Sequence, residues 1–192
     1  MKEPAPMRLA HFHRAAVLVA AGMFLAACQT VNTVSEGADS NLMLKGFDPV
    51  AYFTEGRHVA GSPAIKADHE GLTYRFASTG NRERFVKQPA AFVPQFGGFC
   101  ANGIAYAIPW GGDPDTWKII DGKLYIFGGQ SSKNYFLMDE RRNLALAHRY
   151  WQEEVRGMPP RVQTAKRLLF RVPHYKSGKE LEDELRSKGT KP

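Results

Sequence analysis

Hydrophobic and polar positions alternate along two stretches of the chain, and each stretch predicts a β-hairpin. In the first, Leu72, Tyr74 and Phe76 alternate with other residues directly after Glu70-Gly71, as is typical of a half-buried strand that follows a tight turn. In the second, Asp121-Gly122 separates two apolar runs, WKII and KLYIF. An Asp-Gly pair in this position is a strong short-range signal for a two-residue hairpin turn.

Helical signals occur elsewhere in the chain. Asp48-Pro49 can open a short helical turn, because Asp accepts hydrogen bonds from free amides and Pro suits the first helical position. Ser78 or Thr79 can cap a helix that carries Phe85 and Val86. These helices alternate with the hairpins and predict an α+β fold, in which short antiparallel hairpins pack against short helices.

The second half of the chain contains a Gly-rich segment and then helical patterns. Residues 97–112 are rich in Gly and predict irregular structure. A helical pattern follows Ser131 and Ser132, and SGKELEDELRSKG near the C-terminus predicts a capped polar helix. One face of the first helical pattern is expected to collect Leu144, Ala147, Tyr150 and Trp151.

Residues 1–27 have the composition of a signal peptide. Arg8 and Arg14 give a positively charged start, and residues 15–27 form an uncharged, mostly apolar run. That run is shorter than the roughly 20 residues that a membrane-spanning helix needs, and it fits the apolar region of a signal peptide. It ends in LAAC, which resembles the bacterial lipobox, with Cys28 in the modified position.

The lipobox resemblance implies a lipoprotein that begins at Cys28. The sulfur would take a diacylglycerol carrying fatty acyl chains such as palmitate, and would anchor the protein to a membrane. Gln29, rather than Asp, after this cysteine favours the outer membrane by the sorting pattern of enteric bacteria. We therefore predict a periplasm-facing protein of the cell envelope. A short buried helix or an ordinary cleaved signal is the alternative.

Composition divides the remaining chain into three parts. Residues 28–40 are small and polar and predict a tether. Residues 41–151 contain the strand and helix signals and predict the folded domain. Residues 152–192 predict a basic helical tail, because the segment 156–179 contains seven Lys or Arg and no Asp or Glu.

The basic segment 156–179 has two interpretations. It can be a helix that touches anionic phospholipid as a second attachment beside the lipid at Cys28. It can equally be an amphipathic helix packed on its own domain by Leu168, Leu169 and Phe170. Nucleic acid is not expected as a partner outside the cytoplasm.

Cysteine usage directs attention to Cys100, which lies in PQFGGFCANG. The chain has two cysteines, Cys28 and Cys100, so acylation of the first would leave the second without a disulfide partner in the chain. An unpaired thiol in the oxidising envelope is unusual. We expect Cys100 to be either buried or chemically used.

Four segments in this order resemble one family: GFDPVAYFTEG (46–56), HEGLTYRFASTGNRERF (69–85), PQFGGFCANG (94–103) and WKIIDGKLYIF (117–127). They are similar to the exported bacterial YHS domain-containing (seleno)proteins. The resemblance covers residues 41–151. In this branch a Cys or selenocysteine occurs at a position comparable to Cys100, which implies redox or binding chemistry there.

The chain departs from the metal-binding YHS domains at each of their thiol positions. Ala51 follows Asp48-Pro49-Val50, Ala77 follows Tyr74-Arg75-Phe76, and the third position falls near Asn81 or Arg82. The metal site of those domains is therefore not expected. Copper is the cofactor that Cys, His and Met ligands would suit, with Cys100 and His69 as weak ligand candidates and His58, His148, His174, Met43 and Met138 as others without a recognisable spacing.

These observations predict a thiol-dependent binding or redox module acting through Cys100, and they leave open whether it is an enzyme. Two alternatives stand beside it. One is a non-catalytic, partner-binding lipoprotein in which Cys100 is buried, and the other is a copper-handling protein.

Overall fold

The computed structural model describes residues 30–188, which form seven helices and two small sheets. This confirms the α+β class. The predicted signal peptide and the acylation site Cys28 lie outside the described residues. Within those residues, no helix is both long enough and apolar enough to cross a membrane.

The first sheet has four strands in the order β1-β2-β4-β3. Its strands are β1 (Thr33–Glu36), β2 (Asp39–Met43), β3 (Ser62–His69) and β4 (Leu72–Phe76). Two antiparallel pairs, β1 with β2 and β3 with β4, are joined by a parallel contact between β2 and β4, where Leu42 lies opposite Thr73. The β3–β4 hairpin was expected, whereas the parallel contact between the two hairpins was not.

The second sheet is the hairpin of β5 (Asp113–Ile120) and β6 (Lys123–Phe127). Asp121 has φ 48° and Gly122 has φ 70°, and two successive positive φ angles are the geometry of the type I′ turn that this pair favours. The structure therefore confirms the hairpin that the Asp-Gly pair predicts.

Seven α-helices accompany the two sheets in the described residues. They are α1 (Ala51–Thr54), α2 (Thr79–Lys87), α3 (Ala101–Ile104), α4 (Gln130–Leu137), α5 (Glu140–Tyr150), α6 (Pro160–Leu169) and α7 (Gly178–Ser187). Short 3₁₀ turns occupy Leu44–Gly46, Pro89–Ala91 and Gln95–Gly98, and the π-helical turn Trp151–Val155 continues α5. Ser78 caps α2 and Ser177 caps α7, as expected.

Two helical expectations need correction. The pattern after Ser132 is two helices, because the Asp139 side chain accepts the amide of Arg142 and starts α5 there. The Gly-rich segment 97–112 is not irregular throughout, because it contains the buried helix α3. A helix of four residues is too short for its side chains to show a helical period in the sequence.

The prediction that residues 28–40 form a tether is wrong for the residues that the structure describes. Residues 33–36 form strand β1, and Asp39 begins β2. Before them Thr30 is buried, and its hydroxyl lies 3.2 Å from the Val155 carbonyl and 2.9 Å from the Met158 carbonyl. A segment of small and polar residues can still form an edge strand through its backbone, and its composition alone does not show this.

The predicted tail shares the core of the domain rather than forming a separate unit from residue 152 onward. Val155 and Val172 belong to the largest apolar cluster, together with the buried side chains of α3 and β6. Leu181 and Leu185 of α7 are also buried. In contrast, Leu168, Leu169 and Phe170 are exposed, so the expectation that these three pack the tail on its own domain is wrong.

Candidate functional site around Cys100

Cys100 lies where the Gly-rich segment crosses the end of strand β6. Its amide donates to the Trp110 carbonyl at 2.9 Å, and its backbone pairs with Ile126 in an isolated parallel bridge. Directly after it, α3 turns the chain back so that the amide of Ile108 donates to the Gly103 carbonyl at 2.9 Å. The thiol is therefore held by backbone contacts on both sides.

Glycine is needed here because two pieces of backbone approach closely. A Cβ atom on Gly112 would lie 2.3 Å from the carbonyl oxygen of Gly98 and 2.7 Å from Cγ2 of Ile126. A Cβ atom on Gly128 would lie 3.2 Å from the carbonyl oxygen of Gly111. These glycines let the loop that carries Cys100 pack directly on β6 and the turn after it.

The sulfur has one polar neighbour among the described side chains. Sγ of Cys100 lies 3.1 Å from the hydroxyl oxygen of Ser132, and either group can donate the hydrogen bond. Ser132 stands in the first turn of α4, where backbone amides lack helical acceptors. A hydroxyl in this place can donate to a thiolate when Cys100 gives up its proton.

Although the side chain of Cys100 is only 2% exposed, it forms part of the wall of a cavity of about 320 Å³. Only a small part of the Cys100 side chain therefore faces the cavity. Aromatic rings and a few polar groups provide the rest of the wall, chiefly Asn102, Tyr106, Trp110, Ser132, Tyr135, Tyr175 and Lys176.

The C-terminal segment supplies one side of this cavity. Tyr175, Lys176 and Leu181 line it opposite residues of the Gly-rich loop. Lys176 is held by an ion pair with Glu184 of α7, and this pair helps to keep the pKa of Glu184 below its usual value. Residues beyond 151, predicted to be a tail, are therefore part of the site.

A second cavity of about 250 Å³ shares Tyr106, Tyr135 and Lys176 with the first and adds Arg142 and Glu184. The shared residues place the two cavities side by side. Burial raises the pKa of Tyr106, with Glu184 acting in the same direction.

His174 also borders the second cavity and is held in a stack of rings. Its imidazole lies between Tyr106 and Tyr150, with ring centroids 5.5 and 5.8 Å away, and Nε2 lies 2.9 Å from the Ala105 carbonyl. Burial lowers the pKa of His174, and the cations of Arg142 and Arg149 act in the same direction, while the hydrogen bond to Ala105 opposes them. The neutral imidazole, donating from Nε2, fits this position.

The structure does not bring the candidate metal ligands together. His69 stands at the end of β3 against the ring of Phe85, 6.0 Å between centroids, and is absent from the cavity wall that contains Cys100. His58 lies beside Phe47 and Asp115, and His148 lies beside Tyr125. Between residues 30 and 188 no three His, Cys, Asp or Glu side chains gather as a metal site would require.

A buried polar centre lies around Asp48, at the positions 51, 77 and 81 named above. The buried carboxylate of Asp48 accepts the amides of Ala51 at 3.4 Å and Ala77 at 2.8 Å. It also accepts Nδ2 of Asn81 at 2.7 Å and the amide of Val50 at 2.8 Å. The three positions named from the resemblance therefore converge on one carboxylate in this chain.

Sequence reasoning found Cys100 but missed its companions. Ser132 was noted only as the start of a helix, and Tyr106, Tyr175 and Lys176 were not singled out. The high density of Gly around Cys100 predicts that another part of the chain packs closely against this loop. It does not show which residues do so. Comparisons with known protein families, with curated proteins and with solved structures find no match for this chain.

Proposed function

We propose that this chain is a lipid-anchored protein of the cell envelope, similar to the exported YHS domain-containing proteins, and that it acts through Cys100 as a thiol-dependent binding or redox module. The observation that carries the proposal is the position of the Cys100 sulfur, in the wall of an aromatic cavity of about 320 Å³ and 3.1 Å from the Ser132 hydroxyl.

The chemistry of the cavity wall suggests a ligand with a flat or apolar body. Tyr106, Trp110 and Tyr135 offer ring faces and edges to such a body. Asn102 and Lys176 offer polar groups that can fix its orientation. A ligand of this kind would bring its reactive or soft atom against the sulfur.

Thiol–disulfide exchange is the redox step that fits one cysteine. The sulfur of Cys100 attacks one sulfur of a small disulfide, the ligand's S–S bond breaks, and a mixed disulfide with Cys100 forms. The other ligand sulfur leaves as a thiolate and takes up the proton that Cys100 has lost. A second small thiol then attacks the ligand sulfur of the mixed disulfide, a new S–S bond forms between those two sulfurs, and Cys100 leaves as a thiolate that takes up the proton of the attacking thiol.

The resemblance to the YHS family is supported by the arrangement around Asp48. Ala51 belongs to the segment 46–56, and Ala77 and Asn81 belong to the segment 69–85, yet their donors share one buried carboxylate. In metal-binding YHS domains the corresponding positions hold thiols that share a metal. Here a structural hydrogen-bond centre takes that place, which leaves Cys100 as the site of chemistry.

A second candidate function is favoured by the 2% exposure of Cys100. In that case the thiol is a packed side chain, as free cysteines often are, and the protein is a partner-binding lipoprotein without thiol chemistry. Whether a small reagent reaches Cys100 in the folded protein distinguishes the thiol-dependent module from the partner-binding lipoprotein.

The test uses the full chain with Cys28→Ala, so that Cys100 is the only thiol. The folded protein is labelled with a small alkylating reagent and, separately, with a bulky maleimide. We expect the small reagent to react without denaturant and the bulky one to react at least about tenfold more slowly, because a cavity of a few hundred cubic ångströms admits only small molecules. Cys100→Ser in the same background is the control.

Labelling that requires denaturant for both reagents would contradict the thiol function and leave the packed alternative. The lipid anchor is tested separately by the mass of the protein extracted from membranes. We expect residues 1–27 to be absent and Cys28 to carry the acylated diacylglycerol. A membrane fraction that retains residues 1–27 with an unmodified Cys28 would contradict the anchor.

A further inference from the structure

Helix α6 and its ends present apolar side chains to solvent. Leu168, Leu169 and Phe170 are 52%, 78% and 70% exposed, and Val162 is 52% exposed. Val162 and Leu169 lie two turns apart on the same side of the helix. Together with the exposed Met158 just before the helix, these residues are called the α6 patch below.

The opposite side of α6 is polar and faces the domain. Gln163 is fully buried, and its Nε2 donates to the Ala107 carbonyl at 3.0 Å. Arg167 on this side pairs with Glu154, and Lys166 reaches the same carboxylate from the exposed side of the helix. Burial acts to raise the pKa of Glu154, but the hydrogen bonds and charges of these two cations outweigh it and hold that pKa below its usual value. A helix that only completes a soluble core turns its apolar side inward, whereas α6 is attached by polar contacts and turns that side outward.

Positive charge surrounds the patch. The segment 156–179 has no Asp or Glu, and Arg156, Arg161 and Arg171 form no ion pair with any residue from 30 to 188. Apolar side chains bordered by arginines match the surface of an anionic bilayer, with acyl chains below and phosphates above. A second copy of this chain would bring the same arginines against one another.

The start of the described chain lies beside this surface. The Thr30 hydroxyl lies 2.9 Å from the carbonyl of Met158, and the amide of Gly157 donates to that hydroxyl at 3.0 Å. Thr30 is two residues after Cys28 in the sequence. A lipid on Cys28 would therefore join the protein close to the edge of the α6 patch, so that both could reach the same bilayer.

From these observations we propose that the α6 patch docks onto an anionic phospholipid surface and fixes the orientation of the anchored domain. Leu169 and Phe170 enter the interfacial region, and the neighbouring arginines bind lipid phosphates. The proposal shares with the proposed function only the membrane location and does not depend on the Cys100 thiol. Lipid binding and thiol access can therefore fail independently.

The first experiment maps contact with lipid in the full-length protein on vesicles that contain phosphatidylglycerol and a photoreactive phospholipid. Cross-links are located by mass spectrometry of peptides. Val86 of α2 is a matched reference, because it is an apolar side chain with 56% exposure outside the patch. We expect residues 157–171 to carry at least about fivefold more label than residues 79–87, since the acyl region admits only the inserted side chains. Equal labelling of the two segments would overturn the proposal.

The second experiment measures flotation with the same vesicles for full-length Cys28→Ala chains. Adding Leu169→Glu should lower the bound-to-free ratio by about tenfold, because burying a leucine side chain contributes about a factor of ten or more. Adding Val86→Glu should leave it unchanged, and both variants should keep the far-ultraviolet circular dichroism of the parent. Replacing Arg171 with Gln should lower the ratio by about fivefold on phosphatidylglycerol and have no effect on phosphatidylcholine.

Sedimentation without vesicles provides the opposing outcome. If the parent chain is a dimer that Leu169→Glu converts to a monomer while flotation is unaffected, the patch is covered by a second copy and the proposal is wrong. Equal flotation of the Leu169→Glu and Val86→Glu chains would overturn it as well.

Discussion

The sulfur of Cys100 lies 3.1 Å from the hydroxyl oxygen of Ser132. The two residues are 32 positions apart, and the β5–β6 hairpin between them brings the Gly-rich loop against the first turn of α4. This contact places a hydrogen-bond donor at the sulfur on the side of the cavity. It gives the site a group that can stabilise negative charge on Cys100 without a metal ligand set.

Ser132→Ala is predicted to slow the labelling of Cys100 in the folded protein by about tenfold, because a hydrogen bond to an ionised group contributes about 1.5–3 kcal/mol. The rate of alkylation by a small reagent measures the effect. Ser131→Ala is the matched control, since Ser131 is exposed in the same helical turn. A rate that stays equal or rises in Ser132→Ala would show that the hydroxyl only fills space or blocks access.

Asp48→Asn is predicted to lower the free energy of unfolding by about 3 kcal/mol. The carboxylate is fully buried and accepts four N–H groups. In the Asn variant the side-chain NH₂ group would replace one acceptor oxygen and would face N–H donors. Each group left unpaired costs about 1–3 kcal/mol. Urea denaturation provides the measurement.

Asp68→Asn is the control for Asp48, because this exposed carboxylate accepts from the Thr73 hydroxyl and from no other side chain between residues 30 and 188. The expected change there is within about 0.5 kcal/mol. Similar losses for the two variants would contradict the view that Asp48 ties the two segments together.

Gly112→Ala is predicted to destabilise the protein by about 2 kcal/mol, in the range typical of overpacking. The added methyl group would meet the Gly98 carbonyl at 2.3 Å and Ile126 at 2.7 Å, so the loop before Cys100 must move away from β6. The same variant should alter the labelling rate of Cys100.

Gly80→Ala is the matched control, because the added atom would lie 3.9 Å from Ser78 Oγ, an ordinary contact, at a residue outside the wall of the Cys100 cavity. It is expected to leave both stability and labelling close to those of the parent. A Gly112→Ala protein of normal stability would show that the loop can shift freely.

The stability of the protein is predicted to fall below neutral pH partly because of His174. Burial depresses the pKa of this histidine from its ordinary value of 6.5. Well above 6.5 the imidazole is neutral in both the folded and the unfolded state. As the pH falls below that value, the unfolded chain takes up the proton more readily than the folded one, so the free energy of unfolding decreases.

His174→Gln should reduce this loss, because the Gln side chain cannot titrate and its amide can still donate towards the Ala105 carbonyl. The measurement is the melting temperature of both proteins at about pH 7.5 and about pH 5.5, on either side of the usual histidine pKa. Burial also lowers the pKa of His148, so the variant should retain part of the pH dependence. An unchanged pH dependence in the variant would contradict the assignment.

The local features of the fold could be predicted because each depends on a few neighbouring residues. Asp121-Gly122 adopts the positive φ angles of a tight hairpin, and Ser78 caps α2 through the amide of Asn81. Residues 30–40 were misjudged as a tether because the contacts that fix them are distant in the sequence: the partners of Thr30 are more than 120 positions away, and the β1–β2 hairpin joins the sheet through β4.

Of the candidate site, only the reactive residue Cys100 could be predicted from the sequence. Cys100 stood out because no other thiol remains for it if Cys28 is acylated. Ser132, Tyr175 and Lys176 join it through the packing of α4 and the C-terminal segment on the Gly-rich loop. The spacing of these residues in the sequence does not predict that they contact the same cavity.

By itself the sequence determined the hairpin turns, the helix caps and the α+β class, since turn and capping preferences act within a few residues. Only the tertiary structure decided that Leu42 and Thr73 join two hairpins in parallel, that the C-terminal segment forms a wall of the Cys100 cavity, and that Leu169 faces outward. Periodicity shows that a helix has two different sides, but which side meets the core depends on the competing fit of all the other elements.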